Sequence, residues 1–170
     1  MDYELVINAN KQDVEIALLK DKVLSELHYE KAKTDFQVGD IYLGKIKRVI
    51  PSLNAAFVDV GYEKDAFLHY FDLGKQFSSL KKYTKEVKSG QRQNGDLSHF
   101  SLESDINKNG KIKEVVSSGN EVLVQIAKEP ISSKGPRLTS ELTLAGRFLV
   151  LVPFSNRISI SQQIKDPQER

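Results

Sequence analysis

The chain has 170 residues, enough for one domain with a real core or for two small ones. Charged residues make up 28% of it, mixed in sign to a formal net charge of +2, so a basic site must be local rather than global. There is no cysteine, which excludes disulfides and thiolate metal sites and suits a reducing, cytoplasmic home.

The opening "MDYELVINANKQDVEI" has neither a basic n-region nor an apolar h-region and is not expected to be a signal peptide. "YELVINA" (3–9) predicts a strand. "DVEIALLKDKVLSELHYEK" (13–31) reads as a hairpin turning at Asp21-Lys22, with Val14, Ile16 and Leu18 alternating with polar or small residues. A helix over 13–27 is the alternative, since Val14, Leu18 and Leu19 also fit a helical face. "TDFQVGD" (34–40) reads as a boundary, followed by a strand over 41–50.

"PSLNAAFVDVGYEKDAFLHY" (51–70) reads as two short strands around a turn. Alternation puts Ala56, Val58 and Val60 on one face of the first strand and Phe57 with Asp59 on the other. In the second strand Ala66 and Leu68 share one face, and Asp65, Phe67 and His69 the other. Each strand thus sets a phenylalanine on its polar side. From Asp72 to about Gly119 the sequence is polar, Lys-rich and turn-rich with no sustained period, which predicts a long surface excursion, partly disordered. "KIKEVVSSG" (111–119) predicts one or two helical turns ending at Gly119. "EVLVQIAKEP" (121–130) and "RLTSELTLAG" (137–146) predict strands, and "RFLVLVP" and "RISISQQI" two more. No apolar run is long enough to span a bilayer.

The fold class this predicts is mainly β. Three strands, a long polar connection, a helical turn and two further strands suit a five-stranded Greek-key barrel of the OB type. Nucleic acid lies across one outer face of such barrels, stacking bases on aromatics. Phe57 and Phe67 are then candidate stacking platforms, and Lys45, Lys47 and Lys64 candidate phosphate contacts. His69 shares the face of Phe67. The bland alternative is that the two rings are core.

"VGDIYLGKIKRVIPSLNAAFVDVGYEKDAFLH" resembles the opening of an S1 domain, and "PSLNAAFVDVG" with "LVQIAKEPISSKGPRLTSELTLAGRFLVLVP" resembles two hallmark blocks of the ribonuclease E/G family. "ELVINA" is similar too. The resemblance implies an endoribonuclease that cuts single-stranded RNA in rRNA processing and mRNA decay. It implies that 1–37 are the first strands of an RNase H-like subdomain, 38–143 an S1 (OB-fold) RNA-binding domain with a long insertion at about 72–110, and 144–170 the beginning of a 5′-sensor region.

By the same resemblance, Phe57 and Phe67 match aromatics that grip RNA bases, and Lys134 in "SSKGPRL" matches a lysine beside them. Gly146 and Val150 match residues of a 5′-phosphate pocket. The family's catalytic Mg²⁺ is held by two aspartates expected beyond residue 170, as are the pocket's arginine and threonine and the zinc-linking cysteines. Where the family often carries a basic pair, this sequence has Gln162-Gln163. The 170 residues alone are therefore expected to bind single-stranded RNA and to cleave nothing, with no catalytic or metal-binding residue of their own. A homo-oligomeric parent is also implied, and the incomplete sheet of the first 37 residues offers an edge for it.

Other readings are available. A non-catalytic S1-type module of a translation or ribosome-associated factor is the main alternative. "DINKNG" (105–110) imitates the start of an EF-hand loop, but its twelfth position falls on Val116, so a plain turn is expected. The lysines 75, 81, 82, 85 and 88 form a basic cluster that is either a solvated face or a phosphate contact.

Overall fold

A computed structural model of the chain describes residues 2–10, 12–31, 36–93, 97, 99–156 and 159–170. The chain divides into two compact units, Met1–Asp35 and Phe36–Arg170.

The first unit is an antiparallel meander of β1 (Tyr3–Ala9), β2 (Asp13–Lys20) and β3 (Val23–Lys31). The strand alternative holds over 13–27 because Asp21 and Lys22 both take positive φ, 49° and 66°. That is the two-residue turn whose twist suits a hairpin, and Lys20 pairs with Val23 across it. Leu5, Val6, Ile7, Val23 and Leu27 of this sheet are all more than half exposed.

The second unit is built on a closed five-stranded barrel. Its strands are β4 (Ile41–Ile50), β5 (Ala55–Asp59), β6 (Ala66–His69), β7 (Glu121–Lys128) and β8 (Arg137–Thr139), in the order β4-β5-β6-β8-β7. Strand β7 returns to β4, and the β6–β8 pair is parallel while the others are antiparallel. This is the OB arrangement. The interior takes one residue in two from each strand: Ile46, Ala56, Val58, Ala66, Leu68, Val122, Val124, Ile126 and Leu138. Gly44 has a steric reason, since a Cβ there would sit 2.6 Å from Val58 Cγ1.

The stretch after Asp72 departs from expectation. It is a surface excursion only in part, since the described residues from 85 to 105 are exposed or half-buried while both flanks are anchored. Helix α1 (Phe77–Lys88) crosses it, and Leu73, Phe77, Ile106 and Ile112 join the barrel's own core. Phe77, Leu80 and Thr84 repeat at helical spacing on the buried side. The expected disorder falls partly on 94–96 and 98, which lie outside the described residues. Tyr83, Phe100 and Phe154 form a ring cluster with centroids 5.1–5.9 Å apart, and the Arg92 guanidinium lies over Phe100 at 5.2 Å. The short helix α2 (Ile112–Val115) stops at Val116, and Gly119 instead turns the chain into β7. "DINKNG" is a turn: Gly110 N–H donates to Asn107 O, and the Tyr70 hydroxyl donates to the same carbonyl.

The predicted strand at 137–146 is two pieces, β8 and β9 (Leu144–Ala145). Strand β9 pairs with β10 (Leu149–Leu151), which pairs with β11 (Ser159–Ile160). The expected strand at 157–164 falls partly on 157–158, outside the described residues. Among the described residues no helix is long and apolar enough to cross a membrane.

Candidate functional site

Strands β5 and β6 carry the alternation expected of them. Ala56, Val58, Ala66 and Leu68 are fully buried, while Phe57 and Phe67 lie half-buried on the outer face. The two are register partners, with ring centroids 5.8 Å apart and edge-to-face at 69°. Neither ring is core. Each packs against the other and keeps part of its surface open.

The row of rings continues. His69 lies 6.4 Å from Phe67, and Phe71 lies 5.1 Å from His69, centroid to centroid. His69 Nδ1 accepts from the Phe71 backbone N–H, capping the 3₁₀ turn Tyr70–Asp72. On the other side of Phe57, the Arg48 guanidinium lies 4.9 Å above its ring. Arg48 and Phe71 are missed by strict alternation. Strand β4 bulges between Ile46 and Arg48, leaving Lys47 as the extra residue, so Arg48 faces Phe57 instead of the core. Serine 118 Oγ donates to the Lys47 carbonyl at the bulge.

The expected lysines divide into two kinds. Lys47 Nζ sits 2.8 Å from Asp65 and 3.5 Å from Asp59. The Asp65 carboxylate, then Asp59, raises its pKa above the ordinary lysine value. The Asp59 carboxyl is held below the ordinary value by the Gly61 N–H first and by Lys47 next. Lys47 is thus a neutralised cation on the ring face. Lys45, Lys64 and Lys134 have exposed side chains. Lys134 stands in the loop between β7 and β8, where Ile131 bridges Lys134. That loop leans on the turn before β6: a Cβ on Gly135 would overlap the Asp65 carbonyl, and Phe67 N–H donates to Pro136 O at 2.9 Å. The faces of the second and third barrel strands and the loop joining the fourth to the fifth are where OB barrels take nucleic acid. Here they hold Phe57, Phe67 and Lys134.

Asn54 explains the turn that precedes β5. It sits in the left-handed region at φ 47°. Its Nδ2 donates to Gly110 O at 3.1 Å, and its Oδ1 accepts from Ile112 N–H at 2.6 Å. The "PSLN" turn therefore clamps the far end of the long connection against the barrel.

Gly146 and Val150 come together in the small β9–β10–β11 sheet. Val150 pairs with Ala145, and Gly146 N–H donates to Leu149 O at 2.8 Å. Of the lysine cluster, Lys81 donates to Val115 O and to Asn120 Oδ1, both at 3.0 Å, and burial lowers its pKa. Lys82 and Lys88 pair with Glu103 and Glu121. No grouping of His, Asp or Glu with metal-ligand spacing occurs among the described residues.

No protein-family model matches the chain. It is 35% identical over 98% of its length to ribonuclease G of Haemophilus influenzae, and 34% identical over its whole length to ribonuclease G of Escherichia coli K12. It is 33% identical over 97% of its length to ribonuclease E of Synechocystis. The chain spans 30% and 31% of the two ribonuclease G sequences and 20% of the ribonuclease E.

Proposed function

We propose that this chain, which belongs to the ribonuclease E/G family, is the single-stranded-RNA-binding part of an endoribonuclease that hydrolyses phosphodiesters in RNA processing and decay. The observation that carries the proposal is the Phe57–Phe67 pair, open on the outer face of a closed OB-type barrel and flanked by Arg48. Bases stack on the two rings without regard to sequence, because every base has a π-face. Arg48 adds a planar cation against the edge of the platform. Lys45, Lys64 and Lys134 attract the phosphates that run past it, an attraction that salt weakens. The barrel is the S1 domain of this reading.

Gly146 and Val150 form the chain's share of a 5′-phosphate pocket in the same proposal. Their adjacency in the small sheet supports it. The cytoplasmic home and the homo-oligomer come with the same family reading. The Mg²⁺ of the family's hydrolysis finds no fitting donor set among the described residues. No bond-breaking step is therefore assigned to this chain, which binds and orients the strand.

The test is a titration of fluorescent single-stranded RNA into the chain and into Phe57→Ala/Phe67→Ala at low and moderate salt. Two lost stacks should cost about 2–6 kcal/mol of binding, with the circular dichroism of the fold retained. A double variant that binds like the parent refutes the platform. RNA left with the chain and Mg²⁺ should stay intact.

A further inference from the structure

We propose that Phe71 is a further base-stacking residue, which lengthens the platform beyond Phe67 to take additional nucleotides of the same single strand. The inference rests on the reading of Phe57 and Phe67 given above and extends it. Three observations carry it. Phe71 is 65% exposed, a large apolar ring left open to water on the barrel's face. It continues a row in which Phe57, Phe67, His69 and Phe71 succeed one another at 5.8, 6.4 and 5.1 Å between ring centroids.

The third observation is that its mounting is rigid. Tyr70 before it is buried at 1% exposure. Asp72 after it takes the forked Arg137 guanidinium at 2.9–3.3 Å, and its carbonyl accepts from Thr139 Oγ1 and Ser140 N–H. Arg137 is itself the register partner of Phe67. The same strand, β8, thus holds Phe67 by its register and Phe71 through the neighbouring Asp72. A ring held open on a pinned turn has little freedom left to lose when a base lies on it, which is what a stacking surface needs.

The occupant is a single nucleic-acid strand, because the row begins at a ring capped by the Arg48 guanidinium, and Lys45, Lys64 and Lys134, on the same strands and loops, are exposed rather than lining an apolar groove. An exposed aromatic that serves a protein contact instead is the outcome the test must separate.

The experiment compares Phe71→Ala with the parent chain on a short RNA of about 3 nucleotides, below the footprint of an OB fold, and a longer one of about 12, within it. The expected result is a roughly 5- to 150-fold loss of affinity on the longer RNA and none on the shorter, one stack's worth. The chain has no tryptophan. Phe71→Trp is therefore the lone tryptophan, and its emission, selectively excited apart from the six tyrosines, should be quenched by the longer RNA only while the affinity is kept. Phe57→Ala/Phe67→Ala runs alongside. If Phe71→Ala binds the longer RNA like the parent while the double variant does not, the platform stops at Phe67 and the inference is overturned. Equal losses on both lengths also overturn the inference, since Phe71 then merely supports its neighbours. If the double variant also binds normally, the face itself has been misread.

Discussion

Lys47 is a cation whose charge is spent locally, and releasing it offers a quantitative test of where phosphates run. In Asp59→Asn/Asp65→Asn both carboxylates around its ammonium lose their charge but keep an oxygen in place, so Gly61 N–H and Lys47 Nζ retain acceptors. The face that holds Phe57 and Phe67 then gains one free cation. For single strands each phosphate contact adds about 0.7 to the slope of log affinity against log salt. One new contact therefore widens the affinity ratio across a fourfold change in salt by about 2.6-fold. Binding at low salt should tighten, and the slope should steepen by that amount. The assay is the fluorescent RNA titration at several salt concentrations. A control with the same change in net charge, Asp166→Asn/Glu169→Gln in the C-terminal turn, guards against a global effect. An unchanged slope in the Asp59/Asp65 variant, or an equal change in the control, would refute a phosphate path past Lys47.

Two further outcomes follow from the Asn54 clamp and from Lys47 with its two carboxylates, Asp59 and Asp65. Asn54→Ala should lower stability by about 2–4 kcal/mol, because it strips the partners of Ile112 N–H and Gly110 O and puts alanine at a left-handed φ; urea denaturation measures it, and a loss below about 1 kcal/mol would show that the long connection is held elsewhere. Asp59, with its pKa depressed, contributes stability above its unfolded pKa and loses it as pH falls through the folded value; Lys47, with its pKa raised, contributes below its unfolded pKa and loses it as pH rises through the folded value. The difference in melting temperature between the parent and Asp59→Asn/Asp65→Asn should then be largest between those two limits and shrink at both, and a difference that is flat with pH would exclude the linkage.

The barrel was legible because each of its strands is half-buried. A strand with one wet face writes its geometry as a period of two, and Ala56-Phe57-Val58 needs no neighbour to be read. What hid was set by exceptions to that period. The bulge at Lys47 slips β4 by one residue, so Arg48 reads as inward while it lies over Phe57. Phe71 stands past the end of β6 in a 3₁₀ turn, where alternation says nothing. Helix α1 hid among lysines: of its buried residues only Phe77 and Leu80 are apolar, with Ser79 and Thr84 polar, and the Lys81 ammonium donates to Val115 O. The Asn54 clamp joins positions 56 and 58 residues apart, a distance no local pattern spans.

The pairing of β6 with β8 also dictates an order of events during synthesis. Until Arg137–Thr139 have been made, β6 has a bare edge, and Phe67 N–H lacks its Pro136 acceptor. Partners that far apart along the chain make ring closure a late and slow step of folding. The loop that brings Lys134 to the face arrives with the same stretch of chain. On the proposed reading, a nascent chain has its complete RNA face only once the barrel shuts.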